Sequence, residues 1–215
     1  LTGDIIASTR LAPNQLSRAR AVLTRGFRRF EARHPTAKIR GPEFFRGDAW
    51  QLLMNEPRWA LRVALYAKAL LRSEASVDTR LSIGIGQMDK AGNKPISLAT
   101  GEAFTLSGHA LDDMTRHFDF TGDLPESAGT LKIWFPAILR LCSGLVRPWT
   151  RRQAEIVSQA LLLEKPTHEQ IAESLRPVVK KQTVTESLTG ASWRPLLEAI
   201  KAFESTDWPT AIGRH

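Results

Sequence analysis

The hydrophobic positions of this chain change period several times, and each change marks an element. Thr2 to Ala7 is a short apolar run of strand length. From Asn14 to His34 the period becomes helical. Leu16, Val22, Leu23, Phe27 and Phe30 supply one side, and Pro13 stands near the start, where its missing N–H is not needed. Two extended segments, Ala37 to Arg46 and Ala49 to Asn55, flank Gly47-Asp48, a dipeptide suited to a tight turn. Glu56-Pro57 opens a second helix with Trp59, Leu61, Val63, Ala64, Ala67, Leu70 and Leu71 as its broad apolar side. Thr79 to Gly86 sets Leu81, Ile83 and Ile85 against small or polar partners and reads as a strand. The resulting order, β-α-β-β-α-β, is the split βαβ pattern of ferredoxin-like palms.

The C-terminal third is helical throughout. Thr150 offers a hydroxyl N-cap to a helix from Arg151 to Leu163, with an apolar row at Ala154, Val157 and Leu161. Thr167 with Gln170 fits a capping box, and Ile171, Ala172 and Leu175 give that short helix a core side. Arg176-Pro177 breaks it, and a polar third helix from Lys180 to Thr189 follows, before Trp193, Leu196, Leu197 and Ile200. Two short helices joined by a turn, the second polar and basic, form a helix-turn-helix signature. In that reading Lys180, Lys181 and Arg194 serve phosphates, while Gln182, Thr183, Thr185 and Glu186 face base edges.

Charge sharpens the picture only by where it sits. The net charge is +8, and Arg18, Arg20, Arg25, Arg28, Arg29 and Arg33 all lie on the first helix. A solvated helix face is the first reading of such a run and a phosphate-binding surface the second. Residues 144–215 carry ten Lys and Arg against eight Asp and Glu, so phosphate contact there depends on local patches. No uncharged apolar run reaches membrane-spanning length. The start lacks Met and a basic-then-apolar leader and reads as trimmed. The lone Cys142 has no intramolecular partner, which suggests a buried thiol in a reducing compartment; cytoplasm is the default.

The chemistry-bearing residues gather near the first strand. Asp4 follows its apolar start, and Asp48 sits in the Gly-Asp hairpin turn; aspartates so placed can meet at one sheet edge, where magnesium takes carboxylate oxygens. Asp4-Ile5 followed by Ser8-Thr9-x-Leu11 resembles the first strand and turn of class III nucleotide cyclases, and Gly47-Asp48 resembles their hairpin tip. Arg80-Leu81-Ser82-Ile83-Gly84-Ile85-Gly86 is similar to a later strand of those enzymes. On the helix that follows, Gly108, His109, Ala110, Leu111, Asp112 and Asp113 stand where cyclases place an asparagine and an arginine. A closer resemblance is to the SatD family of bacterial proteins, carried by Gly3-Asp4-Ile5-Ile6-x-Ser8, Gly47-Asp48 with Gln51, and Ser82-Ile83-Gly84-Ile85-Gly86 before Gly101-Glu102-Ala103. That resemblance implies a cyclase-like palm joined to a C-terminal helix-turn-helix of the sigma-region-4 or LuxR type, in a regulatory or nucleotide-responsive protein.

Other motifs are ordinary. His109 and His117 share no metal-ligand spacing with a third ligand, and no nucleophile elbow or phosphate loop occurs. Trp59, Trp134, Trp149, Trp193 and Trp208 lie among apolar neighbours and are assigned to core or interdomain packing.

The expectation is therefore an α+β, ferredoxin-like palm over residues 1–145 and a small all-α helix-turn-helix domain over 146–215. The leading function is a cytoplasmic, homodimeric DNA-binding transcriptional regulator whose palm senses a nucleotide or dimerises. A rival is a magnesium-dependent enzyme acting on ATP or GTP, in which Asp4 and Asp48 hold the ion and the amides of Ile5, Ile6, Ala7, Ser8 and Thr9 cradle the triphosphate. A third is a protein-interaction scaffold with a degenerate palm.

Overall fold

The computed structural model describes residues 1–88, 95–96 and 100–213. Five strands form one mixed sheet: β1 (Thr2–Ile5), β2 (Ile39–Phe45), β3 (Ala49–Met54), β4 (Thr79–Gly84) and β5 (Phe120–Asp123). Their order is β2-β3-β1-β4-β5. β1 runs antiparallel to β3 and β4, β2 antiparallel to β3, and β5 parallel to β4. β1 ends at Ile5 rather than Ala7, because Ala7 turns left-handed at φ 55°.

The helices are α1 (Pro13–Arg33), α2 (Ala60–Leu70, continued by a π turn at Leu71–Ala75), α3 (Glu102–Asp112), α4 (Thr130–Val146), α5 (Arg151–Leu162), α6 (His168–Ser174), α7 (Lys181–Gly190), α8 (Trp193–Ser205) and α9 (Trp208–Ala211). The chain is thus mixed α and β, as expected. β5 and α4 are among the elements that periodicity missed, as is α9. β5 is only four residues long and carries Gly122, and α4 contains Pro136. Gly122 is required by packing: a Cβ there would lie 2.6 Å from both Phe135 and Leu139 of α4.

Strand alternation divides the sheet chemically. Gly3, Trp50 and Leu81 are register partners on the side covered by α1 and α2. Trp50 is fully buried, its ring 5.9 Å from Phe27, and its indole N–H donates to Thr79 Oγ1 at 3.2 Å. Gly3 leaves room for that ring, since a Cβ there would stand 2.6 Å from it. The opposite side carries polar pairs instead, Thr2 with Ser82 and Asp4 with Arg80, and α3 packs there with Ser107 bonded to Thr2 at 2.8 Å.

A buried ionic cluster joins these layers. Lys68 of α2 is fully buried and pairs with Asp119 at 2.7 Å and with Asp78. Arg72, one turn on, pairs with Asp78 and donates to the carbonyls of Val146, Arg147 and Trp149 at 3.0, 2.7 and 2.9 Å. It therefore satisfies the C-terminal end of α4, where helix carbonyls otherwise lack partners.

The hydrophobic core continues without a break into the C-terminal helices. α5 lies against α2 and buries Ile156, Val157 and Leu161. Arg62 of α2 pairs with Glu204 of α8 at 2.5 Å and donates to Leu161 O at 3.2 Å. His34, buried beside Phe30 and Trp59, has Nε2 3.0 Å from Leu162 O. The Thr150 cap and the Thr167 capping box form, and Thr150 also makes a full box with Gln153: Gln153 N donates to Thr150 Oγ1 at 3.1 Å, and Gln170 N donates to Thr167 Oγ1 at 3.2 Å.

Cys142 is buried, which pushes its thiol up to about 11. His109 and His117 are exposed. Trp149 and Trp208 are buried and Trp59 and Trp193 half-buried, but Trp134 is 60% exposed, which overturns its assignment to packing. Its neighbour Phe135 takes the inward position, because α4 turns residues 135, 139, 142 and 146 to the core. Among the described residues no helix is long and apolar enough to cross a membrane.

Two outcomes test this framework. Lys68→Ala leaves the buried Asp119 carboxylate with only the more distant Arg147, at 3.9 Å, and should cost about 3–5 kcal/mol in urea unfolding, whereas Lys68→Met with Asp119→Leu should recover most of that. Burial, the largest influence, lowers the His34 pKa from its ordinary 6.5. Above pH 6.5 the ring is neutral in both states; below it the unfolded chain takes up the proton first, so stability is lost as pH falls through 6.5 toward the folded value. Melting temperature should fall with acidification between about pH 7 and about pH 5, and His34→Phe should flatten that slope.

Candidate functional site

The exit of β1 and the tip of the β2–β3 hairpin form one edge of the sheet. Arg46 (φ 48°) and Gly47 (φ 91°) make the turn that returns the chain at Asp48. Asp4 is the register partner of Ala49, and Ile5 N–H donates to Asp48 O at 3.2 Å. The turn is held from α1 by Arg20, which donates to Gly47 O, and Ser8 Oγ donates to Asp48 Oδ2. The two aspartates thus come to the same edge.

Their carboxylates are engaged separately. Arg80 on β4 meets Asp4 as a fork, Nε to Oδ1 at 3.1 Å and Nη2 to Oδ2 at 2.5 Å. This hydrogen bonding is the main reason that the Arg80 pKa is raised. No cluster of three or more His, Cys, Asp or Glu side chains suited to a metal ion occurs among the described residues. Magnesium is satisfied by one or two carboxylates together with phosphate oxygens, so Asp4 and Asp48 fit it only in competition with Arg80.

The backbone between β1 and α1 divides in the same way. Ile5 N–H is taken by Asp48 O and Ile6 N–H by Asp78 O at 2.9 Å, so neither amide is available to a phosphate. The amides of Ala7, Ser8 and Thr9 open the 3-10 turn Ser8–Arg10 and donate no hydrogen bond among the described residues. Left-handed Ala7 followed by that right-handed turn is the alternation in which successive N–H groups converge on an anion. Arg10 and Arg46 are exposed beside them.

The second candidate surface is helical. Ile171, Ala172, Val184 and Leu188 are buried where α6 and α7 pack on each other, and α5 closes the unit. That anchoring leaves Lys181, Gln182, Thr185, Glu186 and Thr189 exposed on α7. Lys180 is the exposed N-cap residue, Arg194 is exposed on the first turn of α8, and Thr183 turns half-inward. Gln182 Nε2 donates to Glu186 Oε1 at 2.8 Å, and the Thr185 hydroxyl lies 2.8 Å from His168 Nδ1. Sequence reasoning missed Thr189, one turn beyond Thr185, and His168. The i, i+4 spacing exposes the former; nothing in the sequence brings His168 to α7.

A cleft of about 600 Å³ lies at the other end of the strands, between Leu52–Asn55, Ile83–Gly86, Phe104 and Trp208. None of the residues singled out from the sequence for nucleotide, metal or DNA lines it. No protein-family model matches the chain, nor does any curated protein or solved structure.

Because Arg80 engages both oxygens of Asp4, Arg80→Ala should tighten magnesium binding several-fold by calorimetry, and Asp48→Asn in that background should abolish it. Unchanged affinity in Arg80→Ala would remove Asp4 from the ligands.

Proposed function

We propose that the chain is a DNA-binding regulator in which α6 and α7 act as a helix-turn-helix and the β1 edge of a ferredoxin-like palm receives the phosphates of a nucleotide. The observation that carries the DNA reading is the division of α7, with Val184 and Leu188 anchored on α5 and α6 and a polar row turned to solvent. A major groove admits such a helix, and glutamine reads adenine through two hydrogen bonds. Gln182 is the first base-reading candidate, once released from Glu186, and Lys180, Lys181 and Arg194 serve phosphates. Thr185 supports α7 through its contact with His168 as well as facing outward.

The nucleotide reading is supported by the unbonded amides of Ala7, Ser8 and Thr9 beside Asp48, Arg10 and Arg46. The nearness of Asp4 and Asp48 favours, as a second reading, a magnesium-dependent step on ATP or GTP at the same edge. The strand order with β1 between β3 and β4 supports the ferredoxin-like label. A buried, unpaired Cys142 supports a cytoplasmic location. Two copies suit this reading, since paired recognition helices address two half-sites.

The test is selection of a DNA site by the purified chain, followed by salt titration. Lys180→Ala and Lys181→Ala should each weaken binding to all sequences and reduce the salt slope by about 1, whereas Gln182→Ala should cost about 1–3 kcal/mol at one base position only. Lysine variants that leave both affinity and slope untouched would end the assignment of α7.

A further inference from the structure

α4 is two-sided. Phe135, Leu139, Cys142 and Val146 are buried against β5 and the aromatic cluster of Phe203 and Trp208, whose rings lie 6.0 and 5.8 Å from that of Phe135. The other side is also apolar yet faces water: Ile133, Trp134, Ile138 and Leu141 are 74, 60, 41 and 72% exposed. A large side chain presents about 150–250 Å² when fully exposed, so these four leave on the order of 500 Å² of largely apolar surface in solvent. That reaches the upper range of the patches monomers carry, and such patches mark interaction sites.

The pattern of this side specifies what fits it. Leu131, Trp134, Ile138, Leu141 and Leu145 recur at alternating steps of three and four, the spacing of a helix–helix seam. Ala137 and Gly144 run beside it, and a Cβ built on Gly144 would meet nothing within 4 Å, so the groove next to the seam is open. The spacing is nearly symmetric about Ile138. An antiparallel copy of α4 would set Ile138 against itself, Trp134 against Leu141 twice, and Leu131 against Leu145.

We infer that α4 is a homodimer seam, with a second copy of this chain packing antiparallel across Trp134, Ile138 and Leu141. Trp134, Ile138 and Leu141 of two such faces bury on the order of 700 Å², and Ile133 with the half-buried Leu131 and Leu145 at the rim bring the contact toward about 1,000 Å², the threshold for a specific interface. The inference deepens the two-copy reading given above and rests on it.

Sedimentation velocity of the full chain across micromolar concentrations tests it. The wild type should be dimeric. Trp134→Glu and Leu141→Glu should each weaken association about tenfold or more while leaving the far-UV circular dichroism of the chain unchanged, since both side chains lie outside the core. In a Cys142→Ser background, oxidation should cross-link an equimolar mixture of Trp134→Cys and Leu141→Cys chains more readily than either alone. A monomeric wild type, a dimer indifferent to both glutamates, or Leu141→Cys cross-linking best with itself would overturn the seam. So would sedimentation of a monomer with phosphatidylserine-containing vesicles that Trp134→Glu abolishes, which would assign this side to a lipid surface. DNA binding by a monomeric chain would sink the seam alone, and a dimer that binds no DNA would sink the DNA reading alone.

Discussion

Lys68 is the constraint on which the rest of the molecule depends. An ammonium with no exposure to water is tolerable only where carboxylates and carbonyls surround it, and here Asp119, Asp78 and Thr79 O do so. Asp78 stands just ahead of β4 and Asp119 just ahead of β5, so one charge on α2 sets the starts of two parallel strands. Arg72 extends the arrangement by binding Asp78 and the last carbonyls of α4. A sheet edge, the helix behind it and the entry to the C-terminal helices are thereby located by one buried cluster.

This cluster also joins the two candidate surfaces. Asp78 accepts the Ile6 N–H through its carbonyl, beside the turn with the unbonded amides, while its carboxylate holds Arg72. Arg72 in turn binds Trp149 O, immediately before the Thr150 cap of α5. The helix that supports α7 therefore begins only a few bonded groups from the β1 turn. With α5 packed on α2, the α5–α7 unit is seated on the helix that covers the sheet.

Much of the site was legible in local patterns, because the relevant groups are close in sequence or fixed by strand register. The Gly-Asp turn, the placement of Asp48 beside the exit of β1, the Thr150 and Thr167 caps and the polar row of α7 all follow from short-range rules of turn, cap and helix period. What those rules omit is competition for the same atoms. Asp4 reads as an open carboxylate until Arg80, its register partner on β4, is seen to compete for both oxygens. The amides from Ile5 to Thr9 read as one cradle until Asp48 and Asp78 are seen to take the first two.

The sequence by itself determined the alternation of elements from β1 to β4, the N-terminal caps of α5 and α6, and the apolar sides of α1, α2 and α5, since each depends on periods of two or about four residues within one segment. It could not decide which of two apolar faces on α4 is turned inward. Both sides of that helix are hydrophobic, and only the position of β5, with Gly122 leaving room for Phe135 and Leu139, makes one of them core and leaves Trp134 in water. Likewise no local pattern reveals that Lys68 is buried, because its burial depends on Asp78 and Asp119, residues 10 and 51 positions away that meet it only when the sheet is assembled. Tertiary structure decided these points because they depend on which surfaces and charges compete for one position in space.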